Sequence, residues 1–298
     1  MDELNYAKVY SDQLAQAFPY ALNFGALYAT PNNGRYRFKG GKTIEIPVIS
    51  TTGRQSSNRD SVDELTRNYA NQWEEFELTH QRKWSTLIHP ADVDQTDYAA
   101  TIANITSVFN NEHKFPEMDA YTVSKLFSEW RALGEDAEPM VLDADNILST
   151  FDDMMAHMTN SLIPVTGRIL YVTPEVMKIL KNATNMNRCF DVKNSGDVNR
   201  SVATLDGVAV VEVPRVLMRT EYDFDGDYGW GISSNAQQIG MLLIHPESII
   251  TPVTYEFACL DEPSASTGGK YVYYEESFED VFILPRRVDG VSFVLIEE

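Results

Sequence analysis

The sequence predicts an α+β protein from which a long two-stranded hairpin extends. Three patterns predict this class. Apolar and polar residues alternate on both sides of a polar stretch that follows residue 50, as they do in strands. Apolar residues recur at helical spacing between residues 98 and 160. From residue 167 onwards, aliphatic and β-branched runs are separated by turn residues, which is typical of further strands.

The hairpin is assigned to Lys42–His89. Its arms, KTIEIPVIS and WEEFELTHQRKWSTLIH, carry alternating apolar residues at Ile44, Ile46, Val48, Phe76 and Leu78. The tip, Thr51–Gln72, is far longer than an ordinary hairpin loop and too polar to form a core. Because an isolated two-stranded ribbon is marginal in water, the hairpin lies either on its own body or on another molecule. Pro47 lacks a ladder donor and favours an edge strand.

Helices and strands are predicted on both sides of this hairpin. A short helix near Asn5–Phe18 belongs to an arm over residues 1–41. Thr96 is expected to cap a helix carrying Tyr98, Ile102, Ile105 and Phe109, which Pro116 should interrupt before a second run ends at Gly134. Asn146 is expected to cap a helix with a methionine stripe that belongs to the core. The later patterns predict a strand in RILYV, a helix start at Thr173-Pro174, and strands around an Asp-Gly turn in SVATLDGVAVVEVP.

Composition and charge exclude several classes of protein. The 298 residues are 43% hydrophobic and 23% charged, a globular composition. No run approaches a membrane span, and the beginning of the sequence has no apolar signal core, so we expect folding in the cytoplasm. Residues 1–90 hold 10 basic and 10 acidic side chains, so the rest of the chain carries the whole net charge of −20. A protein that grips nucleic acid through its phosphates would instead show a basic face.

A search for sites of chemistry predicts no catalytic residue, no cofactor and no metal. The sequence contains no Gly-rich phosphate loop, nucleophile elbow, HExxH or Cys-x-x-Cys motif. Its histidines are scattered and are interpreted as structural: His80, His89, His113, His157 and His245. Asp223, Asp225 and Asp227 alternate as in a calcium loop, but position twelve of that pattern is Ser234 rather than glutamate. Cys189 and Cys259 are expected to be free or buried thiols.

The order of these parts resembles the tailed-phage major capsid proteins, whose shell fold was first described for the Hong Kong ninety-seven phage. The segments that carry the resemblance follow one another in the order of the family. They are the extended loop KTIEIPVISTTGR to WEEFELTHQRKWSTLIH, then HPADVDQT and PEMDAYTVSKL, GRILYVTPEVMKIL, LDGVAVVEVP, IGMLLIHPESIITPVTYEF, YEESFEDVFILP and VSFVLI. The resemblance implies an arm (1–41), an extended loop hairpin (42–89), a peripheral domain with a spine helix (90–142 and 245–287) and an axial domain (143–244 and 288–298).

This resemblance implies a virion shell subunit without catalysis, assembled in the host bacterial cytoplasm into hexamers and pentamers around double-stranded DNA. The implied partners are other copies of the chain, a portal and a scaffolding protein. The scaffolding protein is expected to be separate because no scaffold-like segment precedes the arm. Contacts with the enclosed DNA are expected not to be sequence-specific, and no membrane is expected to be involved. The tip contains no lysine for the covalent cross-link of some relatives. Expected intersubunit contact residues are Arg54, Arg59, Arg67, Trp73, Phe76, Arg82 and Trp84.

Two other functions stay open at this point. One is an encapsulin-like compartment shell on the same fold, and the other is a soluble α+β enzyme whose active site is assembled from distant residues. The charge division suggests how copies of a shell subunit would attract one another, because the arginine-bearing hairpin can pair with an acidic body. Candidate carboxylates for the tip arginines are Glu275, Glu276, Glu279 and Asp280.

Overall fold

The computed structural model describes residues 20–40, 42–54, 67–95, 101–183, 202–225 and 229–297. Several sequence predictions fall outside these residues: the helix near Asn5–Phe18, the Thr96 cap, Arg59, Cys189 and Asp227.

Helices and strands alternate along the described chain. The helices are α1 (Gly25–Tyr28), α2 (Pro90–Gln95), α3 (Ile102–Phe109), α4 (Phe115–Ala132), α5 (Ile147–Asn160) and α6 (Pro174–Lys181). The strands are β1 (Arg37–Gly40), β2 (Thr43–Thr51), β3 (Tyr69–Glu77), β4 (Gln81–Ile88), β5 (Ile169–Val172), β6 (Thr204–Leu205), β7 (Val208–Glu212), β8 (Tyr222–Asp223), β9 (Gly231–Ile232), β10 (Gln238–Ile244), β11 (Ile249–Ile250), β12 (Val253–Asp261), β13 (Tyr271–Glu279), β14 (Phe282–Ile283) and β15 (Val291–Ile296). Short 3-10 turns lie at Pro31–Gly34, Arg215–Leu217, Pro246–Ser248 and Pro285–Gly290.

A five-stranded sheet in the order β15-β10-β5-β7-β6 separates two apolar cores. Its residues alternate between the two sides, with Tyr171 and Leu242 facing the core that contains α4, while Leu170 and Leu243 face the core formed with α5 and α6. Every residue of β10 is buried. Strands β5 and β7 are parallel and the other pairs are antiparallel. Because helices cover both faces, the central strands read as continuous apolar runs rather than alternating ones.

Local sequence signals around this sheet act as predicted. The Thr173 hydroxyl accepts a hydrogen bond from the Val176 N–H (3.5 Å) at the start of α6, with Pro174 in the first turn. Asp206 and Gly207 form the turn between β6 and β7 with φ of +48° and +81°, a conformation that Asp-Gly adopts readily. Phe151, Met154 and Met158 of α5 lie in the core, as the methionine stripe indicates.

The prediction that Pro116 interrupts the long helix is wrong. A π-helical turn over Asn110–Lys114 joins α3 to α4, and Pro116 lies in the first turn of α4. In this turn the Phe115 N–H donates to the Asn110 carbonyl, five residues earlier. The helical hydrogen bonds therefore continue up to Phe115, and the N–H that Pro116 lacks is not needed. The helix starts at Ile102, where the Thr101 hydroxyl accepts from the Asn104 N–H (3.4 Å). α4 ends before Gly134, which has a φ of +100°.

Residues 20–34, which the sequence places in an arm, are packed into the body. Phe24 and Leu27 are fully buried beside α4. The buried carboxylate of Asp119, on α4, accepts hydrogen bonds from the hydroxyl of Tyr20 and from the backbone N–H groups of Asn23 (2.9 Å) and Phe24 (3.2 Å). A single side chain of α4 therefore holds the start of the described chain against the core.

We expect Asp119→Ala to lower the free energy of unfolding by about 3 kcal/mol or more, because several buried donors would lose their acceptor. Asp152→Ala, an exposed carboxylate on α5, is the matched control and should change the free energy of unfolding by less than about 0.5 kcal/mol. Urea unfolding followed by circular dichroism measures both. Equal stability of the two variants would show that the Asp119 contacts do not hold this segment.

Candidate intersubunit interface

The predicted hairpin consists of two structural parts. Strand β2 pairs with β3 along its whole length, from Thr43 opposite Glu77 to Thr51 opposite Tyr69, and the short β1 pairs with the base of β2. We call β2 and β3 the ribbon. The second predicted arm divides after Glu77, because β4 leaves the ribbon and pairs with β13 in a separate three-stranded sheet, β12-β13-β4. Pro47 lies beyond the part of β2 that pairs with β1, so its missing N–H faces an open edge as predicted.

The base of the ribbon has a small core of its own. Ile44, Ile46 and Leu78 are buried against Ile250 and Phe282. The ring of Phe76 packs on that of Phe282 with 5.1 Å between the centroids. The base of the hairpin therefore lies on its own body, which is one of the two alternatives that the sequence leaves open.

Leu78–His80, which we call the elbow, joins the ribbon to β4 and is fixed by one buried carboxylate. Asp280 accepts hydrogen bonds at Oδ2 from the Thr79 N–H (2.8 Å) and hydroxyl (3.1 Å). At Oδ1 it accepts from the Tyr121 hydroxyl (2.8 Å) and the Val281 N–H (2.8 Å). The Leu78 N–H donates to the Lys42 carbonyl (2.7 Å). The Asp280 contacts connect the elbow to α4 and to the end of β13, whereas the Leu78–Lys42 bond continues the ladder of the ribbon.

His80 fills the inner side of the elbow and is uncharged at neutral pH. Its ring stacks on Tyr121 with 3.7 Å between centroids, and Phe224 meets both rings edge-on. Burial, helped by the positive charges of Arg82 and Lys125, lowers the pKa of His80 to about 3. The Nε2 atom has no hydrogen-bond partner among the described residues. A stacked, neutral ring of this kind supports the interpretation of His80 as a structural residue.

The outer part of the ribbon presents an apolar face to solvent. Side chains alternate between the two faces along each strand of the ribbon. One face carries Ile44 and Phe76, and the opposite face carries Pro47, Ile49, Trp73 and Tyr69. Ile49 is 65% exposed, Tyr69 57% and Trp73 41%. The guanidinium of Arg37 lies 3.7 Å from the centroid of Trp73, and that of Arg67 lies 4.6 Å from the centroid of Tyr69. Trp, Tyr and Arg are the residues that most often dominate binding energy at interfaces.

Six of the seven predicted contact residues fall into two groups. Phe76, Arg82 and Trp84 make contacts within the chain: Phe76 in the ribbon base, Arg82 in an ion pair with Glu117, and Trp84 stacked on Phe109 at 4.0 Å. Arg54, Arg67 and Trp73 are exposed, and Arg59 is not among the described residues. The sequence analysis missed Pro47 and Ile49. Extending the period-two pattern to the opposite face of β2 would have identified both.

Two of the carboxylates suggested as partners for a neighbouring arginine cannot fill that role. Asp280 is buried with the elbow, and Glu279 is 7% exposed. Glu275 pairs with Lys114 (3.2 Å), and Glu276 accepts from the hydroxyl of Tyr274 (2.6 Å). The suggestion was wrong for Glu279 and Asp280 because the end of β13 turns into the body, which a strand pattern does not reveal.

The described residues contain no group of three or more His, Cys, Asp or Glu side chains arranged to hold a metal ion. In the acidic loop, the Asp225 N–H donates to the Asp223 carboxylate (2.9 Å), a local turn rather than a ligand cage. Within the same part of the chain, no helix is both long and apolar enough to cross a membrane.

Comparison with solved structures identifies the fold. No protein-family model matches the chain, and no curated protein sequence is significantly similar to it. The chain is similar to a structure from Mycobacterium phage Che8, with 13% identity, a TM-score of 0.65 and 96% of each chain covered. For the mature capsid of bacteriophage PhiM1 the identity is 14% and the TM-score 0.65, over 98% of this chain and 92% of the other. For the capsid of Cyanophage P-SCSP1u the values are 12% and 0.69, over 98% and 93%. The chain has the fold of phage capsid proteins, which confirms the predicted fold class.

We expect Asp280→Asn to destabilise the elbow. Each Asp280 oxygen accepts one hydrogen bond from a hydroxyl and one from a backbone N–H, so either orientation of an amide places its NH2 group against a backbone donor. The expected loss in free energy of unfolding is about 2–4 kcal/mol. Asp153→Asn, exposed on α5, serves as the control with a change below about 0.5 kcal/mol. Urea titration would refute the account if both variants unfolded at the same denaturant concentration.

Proposed function

We propose that this chain, which has the phage capsid fold, is a major capsid protein that assembles with copies of itself into the shell of a virion. The observation that carries this proposal is the match to capsid structures over nearly the whole chain. The ribbon supports it independently, because its outer half carries a solvent-exposed aromatic and apolar face. In a shell, that face lies against another copy of the chain.

The proposal gives the shell a structural role that needs no catalytic step. We further propose hexamers and pentamers, a portal and a separate scaffolding protein as partners, and assembly in the host cytoplasm. The net charge of −20 disfavours tight binding to phosphates, so enclosed double-stranded DNA would be retained by the closed shell rather than gripped by each subunit. We propose that the chain of this shell subunit is divided as the sequence indicates, into an arm, an extended loop, a peripheral domain and an axial domain.

Sedimentation and negative-stain microscopy of the purified full chain test the proposal. We expect closed particles that sediment far faster than a single subunit, in a concentration-dependent manner. A compact monomer or small oligomer at every concentration and salt would contradict a self-assembling shell and favour the enzyme interpretation.

We expect the exposed face of the ribbon, rather than the ribbon as a whole, to control assembly. Ile49→Asp with Trp73→Asp should reduce particle yield at least about tenfold, because two carboxylates would be buried at the contact. Ser50→Asp with Gln72→Asp adds the same charge to the opposite face and is the matched control. Thermal unfolding establishes that both variants fold. Equal losses of yield would indicate that charge alone, and not this face, matters.

The arginines of the tip should contribute collectively. A single exposed ion pair stabilises by only about 0.2–1 kcal/mol, whereas pairs repeated at every contact add up. We therefore expect Arg54→Glu, Arg59→Glu and Arg67→Glu together to prevent assembly at low salt, and each single change to be tolerated. High ionic strength should weaken the repulsion and partly restore assembly. Wild-type yield of the triple variant at both salts would show that these arginines are only solvated surface.

A further inference from the structure

The side chain of Glu279 is largely buried next to the elbow. It is 7% exposed and makes no hydrogen bond or ion pair with the residues that the structure describes. The backbone holds it in place, because the Glu279 N–H donates to the His80 carbonyl (3.3 Å), and the next residue, Asp280, binds Thr79. Any change in charge at Glu279 therefore occurs within one residue of the contacts that fix the ribbon.

The cations nearest to Glu279 are already engaged. Lys114 from the π turn pairs with Glu275 at 3.2 Å, and Arg82 from β4 pairs with Glu117 of α4. The titratable and charged groups that face Glu279 from the surrounding elements are Tyr28, His80, Arg82, Lys114, Glu117, Glu256 and Asp280. Burial raises the pKa of Glu279 to about 7; Glu117 and Glu256 add to this increase, while Lys114 and Arg82 oppose it.

We propose that Glu279 makes the elbow a proton-sensitive hinge. When its carboxyl is protonated, it is accommodated as a neutral group and the elbow stays closed, with the Thr79 N–H hydrogen-bonded to Asp280. When the carboxyl loses its proton, the nearest cations, Lys114 and Arg82, are already paired with other carboxylates, and opening of the elbow brings the new charge into water. The hinge belongs to the single subunit and does not depend on the proposed shell function.

The direction of the pH effect follows from proton linkage. In an open, hydrated elbow the carboxyl returns to its ordinary pKa of 4.5, below the value of about 7 in the closed state. The closed state consequently binds more protons, and its advantage is complete below pH 4.5 and is lost as the pH rises to about 7. Between pH 5.5 and 8.5 this linkage raises the opening constant by about 30-fold.

Hydrogen exchange of the unassembled full chain tests the hinge, with mass spectrometry of peptides that contain the Thr79 amide, which donates to Asp280. After correction for intrinsic exchange, we expect the wild type to lose about 30-fold in protection between pH 5.5 and 8.5. Glu279→Gln should lose less than about threefold, because the amide cannot ionise. Glu276→Gln on the same strand removes a carboxyl whose Oε2 accepts from the Tyr274 hydroxyl, and it should behave like the wild type.

Two results would overturn the proposal. One is a wild-type elbow whose protection does not change across this pH range. The other is a Glu279→Gln variant that keeps the wild-type pH dependence, which would assign the effect to another group. If Glu279→Gln loses protection at both pH values, its circular dichroism and urea midpoint decide between unfolding and a local change. If Glu279→Gln is folded but its elbow is open at pH 5.5, the elbow does not accommodate a neutral side chain, and the proposal is contradicted.

Discussion

A two-stranded ribbon has two faces and no interior, and this constraint organises the molecule. Among the described residues, the body covers the base of one face, where Ile44, Ile46 and Leu78 form a small core with Ile250 and Phe282. Beyond that core the strands continue, with Ile49, Trp73 and Tyr69 exposed on the other face. Strand pairing alone leaves such a structure marginal in water. The ribbon is therefore stable as part of this chain because its base is anchored, and its outer face is suited to contact with another molecule.

Helix α4 supplies that anchorage through buried polar groups rather than through apolar packing alone. Asp119 on this helix holds the segment beginning at Tyr20, and Tyr121 two residues later donates to Asp280, the carboxylate that fixes the elbow. Both carboxylates are buried and accept several hydrogen bonds. Because an unmade hydrogen bond is costly there, each carboxylate fixes the position of the groups that donate to it. One helix thus sets where the N-terminal segment, the elbow and the end of β13 lie relative to each other.

Much of the fold could be predicted because its signals are local. The Asp-Gly turn, the Thr-Pro helix start and the methionine stripe each depend on residues close together in the sequence, and the structure confirms all three. The division between β3 and β4 could not be predicted, because Phe76, Leu78, Trp84 and Ile88 stay in phase at period two on both sides of it. The chain bends at Thr79 through a contact with Asp280, 201 residues further on.

The central claim is that the exposed face of the ribbon lies against another copy of the chain. Its most direct test is thiol labelling of Ile49→Cys in a chain that also carries Cys189→Ser and Cys259→Ser, measured in the free subunit and in assembled particles. The account predicts fast labelling in the subunit, where Ile49 is 65% exposed, and at least about tenfold slower labelling in particles, where the face is covered. Equal labelling rates in both states would contradict it.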